Sequence, residues 1–204
     1  MADNVASLVR LMLVTDDGLV KGRDLVVLAR AAVRGGATAV QLRLKGQPPR
    51  TLVELARALV SALPVPVLVN DRPDIALAAG AAGVHLGPED LPVDLARRLA
   101  PPGFVIGASV GSEEEARAAA GADYWGIGPW RASGTKPDAG PPLGAEGFAR
   151  LAALAGGRPC LAIGGVLPED VVEVWKAGGV GVAVGAGVLR KEDVEGAARE
   201  YRER

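Results

Sequence analysis

Short runs of apolar, often β-branched residues recur along the chain, separated by longer stretches that mix Ala and Leu with Arg and Glu. The runs predict strands near Leu11–Val14, Ala39–Arg43, Val67–Asn70, Gly83–Leu86, Val105–Ala108, Tyr124–Ile127, Cys160–Ile163 and Gly181–Val184. The strands are almost uninterrupted by polar residues, as parallel strands covered by helices are. The stretches between them predict helices over Gly22–Arg34, Thr51–Ala62, Ile75–Ala79, Pro92–Leu99, Ser112–Ala119, Ala145–Leu154, Pro168–Lys176 and Asp193–Tyr201. Gly35-Gly36, Gly80-Ala81, Gly121-Ala122 and Gly178-Gly179 fall where a helix should end and the next strand begin.

This succession of β-then-α units predicts an α/β fold, a single-domain (β/α)8 TIM barrel over residues 1–204. A doubly wound sheet is the rival. It would carry a glycine fingerprint after the first strand, and Thr15-Asp16-Asp17-Gly18 is not such a loop.

The 204 residues fit one domain, and a 49% apolar share can fill one substantial core. A net charge of −1 argues against a partner bound through the phosphates of a nucleic acid. Met1-Ala2-Asp3-Asn4 lacks the positive start of a signal peptide, and no long uncharged apolar run suggests a membrane span. A soluble cytoplasmic protein is expected, its oligomeric state open and a homo-oligomer included. Cys160 sits in an apolar run and reads as a buried structural thiol.

In a barrel, function gathers where strands end at their C-terminal side. Strand two ends in Gln41-Leu42-Arg43-Leu44-Lys45, and alternation puts Gln41, Arg43 and Lys45 on one side. Strand three ends in Asn70-Asp71-Arg72, and strand four leads into Gly87-Pro88-Glu89-Asp90. Asp71 and Asp90 thus meet one rim from neighbouring strands. Two carboxylates beside cations suggest Mg2+, a hard ion that shares oxygen ligands with substrate phosphates. Either aspartate could instead cap the helix that follows it.

Strand five ends at Ser109, and strand six leads to Ser133-Gly134-Thr135-Lys136. Hydroxyls around a glycine with a lysine behind them can hold phosphate oxygens, although such a stretch also serves plain turns. The chain has five lysines against eighteen arginines, so a lysine at this place wants a reason. Gly164-Gly165 and Gly185-Ala186-Gly187 follow strands seven and eight, as in a recurrent barrel phosphate site. With the aspartates offset by Mg2+, Arg43, Lys45 and Lys136 count as three uncancelled positive charges. That count favours a diphosphate, with a second, singly phosphorylated molecule at the late glycines. His85, the sole histidine, reads as a satisfied core residue, with an acid–base role as the alternative. Trp125 and Trp130 lie near the site in sequence, and Trp175 reads as helix packing.

Leu13-Val14-Thr15-Asp16, Gln41-Leu42-Arg43-Leu44-Lys45, Asn70-Asp71-Arg72, Gly83-Val84-His85-Leu86-Gly87-Pro88-Glu89-Asp90, Gly126-Ile127-Gly128-Pro129, Gly134-Thr135-Lys136-Pro137-Asp138 and Ala162-Ile163-Gly164-Gly165 occur in that order. With this order and spacing, the chain resembles the thiamine-phosphate synthases (TenI superfamily) over nearly its whole length. The resemblance implies a transferase that joins a pyrimidine methyl diphosphate to a hydroxyethylthiazole phosphate, or its carboxylated form. The products would be thiamine phosphate and diphosphate. It implies that the Gln41–Lys45 stretch, Asn70 and Lys136 hold the pyrimidine diphosphate, with Arg43, Lys45 and Lys136 catalytic. It makes Asp71 and Asp90 the Mg2+ ligands and Ser109 a contact to the pyrimidine. Ser133, Gly134, Thr135, Gly165, Gly185 and Ala186 would line the thiazole phosphate site.

Some positions depart from the family pattern. Val184-Gly185-Ala186-Gly187 stands where a bulkier apolar residue and a serine are usual, and Ser133 replaces a threonine. Trp130-Arg131-Ala132 is unusual before the phosphate loop, and Met12 takes an aromatic place. Two rival readings remain. A related thiazole tautomerase would want a histidine shortly after Ser109, where this chain has Gly111. A non-catalytic phosphate-ligand binder would have less need of both aspartates and the three cations.

Overall fold

The computed structural model describes residues 2–132 and 140–204. Its strands are β1 (Leu11–Val14), β2 (Ala39–Leu42), β3 (Val67–Asn70), β4 (Gly83–Leu86), β5 (Val105–Val110), β6 (Tyr124–Ile127), β7 (Cys160–Ile163) and β8 (Gly181–Val184). Each pairs in parallel with the next, and β8 pairs with β1, so the sheet closes into a barrel. The fold expected from the apolar runs is the fold observed. Six strands keep their expected bounds, β2 stops at Leu42, and β5 runs on to Val110, which places Ser109 inside a strand.

The helices are α1 (Ala2–Leu8), α2 (Asp17–Val20), α3 (Leu25–Arg34), α4 (Pro49–Ala62), α5 (Pro73–Ala79), α6 (Val93–Leu99), α7 (Glu113–Ala118), α8 (Gly144–Ala153), α9 (Val171–Lys176), α10 (Ala186–Leu189) and α11 (Val194–Arg202). A 3-10 turn, Pro168–Asp170, precedes α9. Local chemistry sets several starts. Asp24, Ser112 and Asp193 accept N–H groups of the first turn of α3, α7 and α11, at 3.0, 3.1 and 2.8 Å. Proline opens α4 and α5, where its missing N–H costs nothing. Three helices fall outside the sequence expectation: α1, α2 and α10.

Strand alternation builds two cores. Leu11, Leu13, Val40, Leu42, Val69, Val84, Leu86, Ile106, Trp125, Cys160 and Val182 face the helices. Met12, Ala39, Leu68, Tyr124, Leu161 and Ala183 fill the barrel, joined by Leu8 and Val9 at the end of α1. The first helix therefore stoppers the N-terminal mouth with apolar side chains. At that end Gly181 lies so close to Val9 and Arg10 that a Cβ would overlap their backbone. Burying a Leu side chain fully stabilises by about 1.5–3 kcal/mol, so the filled interior makes this end a structural asset. The three tryptophans are packing residues: the Trp125 indole donates to the Ala119 carbonyl at 3.0 Å, Trp130 meets Phe148 edge-on, and Arg10 lies over Trp175. Cys160 is buried, and burial pushes its thiol up to about 11.

Candidate active site

The opposite mouth collects polar side chains because the inward positions of the strands turn polar at their C-terminal ends. Gln41 is buried, and its amide lies 3.5 Å from the Met12 sulfur. One alternation step further, Arg43 leaves the sheet and pairs with Asp16 at 3.1 Å. Thr15 fastens the two loops together by accepting the Arg43 N–H at 2.8 Å. Asp17 accepts the Gly46 N–H at 3.1 Å and the Gln47 amide at 3.2 Å. The β1 loop thus braces the β2 loop and holds Arg43 over the mouth.

The aspartates do not cap helices. Arg72 and Pro92 occupy the N-cap positions of α5 and α6 without side-chain cap bonds. Instead the chain turns sharply at Asp71, whose φ of 63° is left-handed and uncommon outside glycine. Such a conformation costs about 1–3 kcal/mol and persists where its surroundings demand it. Here the Asp71 N–H is held by the His85 carbonyl at 2.8 Å, and the carboxylate reaches the Lys45 ammonium at 2.9 Å. Asp90 folds back onto its own loop to accept the Gly87 N–H at 2.6 Å, and its carboxyl hydrogen-bonds that of Asp71.

Two carboxyls this close disfavour two charges. Burial, and then the neighbouring Asp71, push Asp90 up to about 6. Burial would raise Asp71 as well, but the bonds from Asp90 and Lys45 and the nearby Arg43 outweigh it and hold Asp71 low. Above about pH 6 the rim therefore carries two facing carboxylates. This donor set suits a hard divalent cation, whose charge would offset the repulsion between the two carboxylates. Among the described residues no group of three or more His, Cys, Asp or Glu could hold a metal ion by itself.

The charge count needs correcting. Asp16 engages Arg43 and stood outside that count, whereas Asp71, which engages Lys45, was already set against Mg2+. The sequence reading gave Asp16 no role; its signal was the Thr15-Asp16-Asp17 run at the end of β1. Among these described groups the acids Asp16, Asp71 and Asp90 outnumber the cations Arg43 and Lys45 by one, which a divalent cation would reverse. Leu42 and Leu44 lie on the other side of the strand, as alternation requires. Their side chains are buried in the core between barrel and helices, which leaves only backbone for a ligand.

Asn70 and Ser109 are half-buried at the mouth, on the inward face of β3 and β5. Gly165 has φ 69°, and a Cβ on it would come within 2.9 Å of the Arg131 Cβ, so glycine lets the β7 loop approach the β6 loop. Arg131 also bonds Asp170, tying the segment after β6 to the turn before α9. Gly185 is the N-cap of α10, and Ala186 begins that helix. Gly187, one of the departures from the family pattern, has a local cause: the Tyr201 hydroxyl occupies the space a Cβ would need and donates to the Val166 carbonyl at 3.0 Å. Ser133, Gly134, Thr135 and Lys136 lie outside the described residues.

The family model "Thiamine monophosphate synthase" (TMP-TENI) matches residues 11–188, which span β1 to α10. The chain belongs to this family. It is 48% identical to the thiamine-phosphate synthase of Methanoculleus marisnigri over 199 residues, covering 95% of this chain and 94% of the relative. It is 47% identical to that of Moorella thermoacetica over 187 residues, covering 89% of each. Among solved structures, thiamine phosphate pyrophosphorylase from Pyrococcus furiosus superposes with a TM-score of 0.85 at 38% identity, covering 98% of this chain and 96% of that one. Membership in the thiamine monophosphate synthase family makes the protein a transferase of thiamine biosynthesis. No helix among the described residues is long and apolar enough to cross a membrane.

Proposed function

We propose that this chain couples a pyrimidine methyl diphosphate to a thiazole phosphate, giving thiamine phosphate and diphosphate in the cytoplasm. The observation that carries the reading is the meeting of Asp71, Asp90, Lys45 and Arg43 at one mouth. It occurs in a chain 48% identical to a thiamine-phosphate synthase.

In this reading Gln41, Arg43, Lys45, Asn70 and Lys136 bind the pyrimidine diphosphate. Leu42 and Leu44 contribute backbone only. Ser109 meets the pyrimidine ring. Ser133, Gly134, Thr135, Gly165, Gly185 and Ala186 take the thiazole phosphate, largely through backbone N–H groups. Asp71 and Asp90 hold Mg2+, which when bound supplies positive charge to the diphosphate oxygens.

The chemistry separates into two events. The bond between the methylene carbon and the diphosphate oxygen breaks first, and the electron pair leaves with the diphosphate. Arg43, Lys45 and Lys136 meet the charge that grows there, and such prepositioned cations act most strongly where water is excluded. The pyrimidine ring stabilises the methylene cation, and the thiazole nitrogen then donates its lone pair to that carbon. No protein nucleophile is needed, which suits a site whose nearest thiol, Cys160, is buried on the helix side of the barrel. Holding both substrates in line supplies up to about 7–11 kcal/mol of the barrier.

A coupling assay with both substrates tests the proposal. Purified protein should form thiamine phosphate and diphosphate in equal amounts only when both substrates and Mg2+ are present. Tight binding of both without turnover would favour the non-catalytic binder, and isomerisation of the thiazole carboxylate phosphate alone would favour the tautomerase.

A further inference from the structure

Inside the barrel, one level below the mouth, two buried rings touch. Nδ1 of His85 and the Tyr124 hydroxyl are 2.9 Å apart, and Nε2 of His85 is 3.0 Å from the Ser109 hydroxyl. The strand register brings them together: His85, Gly107 and Tyr124 share one level of β4, β5 and β6, and Ser109 pairs with Gly126 on the next. Gly107 is required, and Gly126 gives the His85 ring room. A Cβ on Gly107 would overlap the Tyr124 ring, and one on Gly126 would come within 3.1 Å of the His85 ring. Two strands thus give up side chains so that a Tyr–His pair fits beneath a half-buried serine.

The direction of the hydrogen bonds follows from the donors. Burial raises the Tyr124 phenol, which stays protonated and must donate. The Met12 sulfur, 4.0 Å away, is a weak and distant acceptor, whereas Nδ1 lies at 2.9 Å. A ring that accepts at Nδ1 carries its proton on Nε2 and donates to Ser109. A doubly protonated ring donates to Ser109 as well. Only the Nδ1–H tautomer would reverse the bond. A serine hydroxyl that already accepts from Nε2–H has its own proton left to give.

We propose that Tyr124 and His85 are positioning residues that orient the Ser109 hydroxyl as a donor toward the mouth, so that this point of the site selects an acceptor nitrogen of a heteroaromatic ring. The selection of a ring nitrogen rests on the proposed pyrimidine substrate; the hydrogen-bond direction does not.

The experiment has two arms, both on the full chain. His85 is the only histidine, so nitrogen-15 imidazole spectra of the ligand-free protein read this ring alone. The expected spectrum shows a proton on Nε2 in the wild type, with Nδ1 perturbed in Tyr124→Phe. A ring protonated on Nδ1 alone would overturn the inference. In the second arm each substrate is varied in turn. Tyr124→Phe should raise the KM for the pyrimidine diphosphate about tenfold, the loss of one hydrogen bond to a substrate, and leave the KM for the thiazole phosphate unchanged. His85→Gln, whose amide can still donate to Ser109, should recover part of what His85→Leu loses. Of the two pyridine analogues with one ring nitrogen replaced by CH, one should be the poorer substrate for the wild type, by a margin that shrinks in Tyr124→Phe. Equal changes in both KM values, or unchanged discrimination in Tyr124→Phe, would overturn the inference. Should the wild type couple nothing, the proposed function falls, and the nitrogen spectra alone decide the hydrogen-bond direction.

Discussion

The two mouths of this barrel are made from the same strands and finished in opposite ways. At the N-terminal end α1 lays Leu8 and Val9 into the interior, where they join Met12, Ala39, Leu68 and Leu161. At the C-terminal end the inward positions become Gln41, Arg43, Asn70, His85 and Ser109, and the loops add Asp16, Lys45, Asp71 and Asp90. One end gains free energy by excluding water from apolar surface. The other holds charges close together and keeps a left-handed aspartate, Asp71. With the proposed chemistry at the charged mouth, stability and turnover belong to separate ends of the same strands and should respond separately to substitution.

The sharpest way to break that separation is at the charged end. Asp71→Asn keeps a residue type that tolerates the left-handed turn while removing the charge. Turnover should fall at least about a hundredfold, the scale of losing a prepositioned charge contact, with the thermal midpoint hardly moved. Lys136→Ala should behave alike. Wild-type-like diphosphate release by either variant would refute the assigned role. The complementary substitution is at the stoppered end. Leu8→Ala should cost about 2–5 kcal/mol in denaturant unfolding, with kcat preserved wherever the protein remains folded. A large loss of kcat without loss of stability would show that the two ends are coupled.

A smaller effect belongs to the open end's own scaffolding. Burial would raise Asp170, but its bonds from Arg131 and the Leu167 N–H outweigh that and hold it below the ordinary carboxylate range. A carboxylate with a depressed folded value stabilises above its unfolded value and loses that contribution as pH falls through the folded one. Asp170→Asn should therefore lower stability at neutral pH and narrow its difference from the wild type below about pH 4, the ordinary carboxylate range. Parallel pH–stability curves would contradict the assignment. The smallest effect is expected at Cys160, whose buried thiol is pushed up to about 11. It should resist alkylation near pH 8 in the native state, and Cys160→Ala should leave turnover unchanged.

Much of the site was legible because it is written in local pattern. Alternation along Gln41-Leu42-Arg43-Leu44-Lys45 separates the polar residues from the leucines, which the structure buries against the helices. The order of the strands brings Asp71 and Asp90 to one rim without further information. What escaped depends on distances between segments far apart in sequence. The Asp16–Arg43 pair spans the β1 and β2 loops, and without it Arg43 looked uncancelled. Nothing in the local pattern marks Gly107 and Gly126, which the register sets against Tyr124 and His85. The stoppering helix α1 lacks the periodic apolar stripe that made the longer helices readable, because seven residues make only two turns.

The central claim is that the Asp71–Asp90 pair gathers the positive charge on which diphosphate departure depends. The most direct test is the initial rate of diphosphate release with both substrates saturating, measured against Mg2+ concentration for the wild type and Asp90→Asn. The asparagine can still accept the Gly87 N–H, so the loop is preserved while one anionic ligand is lost. The account predicts a Mg2+-dependent wild-type rate and a half-saturating Mg2+ concentration at least about tenfold higher in Asp90→Asn, in line with the tenfold or greater losses seen when a metal site is weakened. Superimposable Mg2+ curves for the two proteins would contradict it.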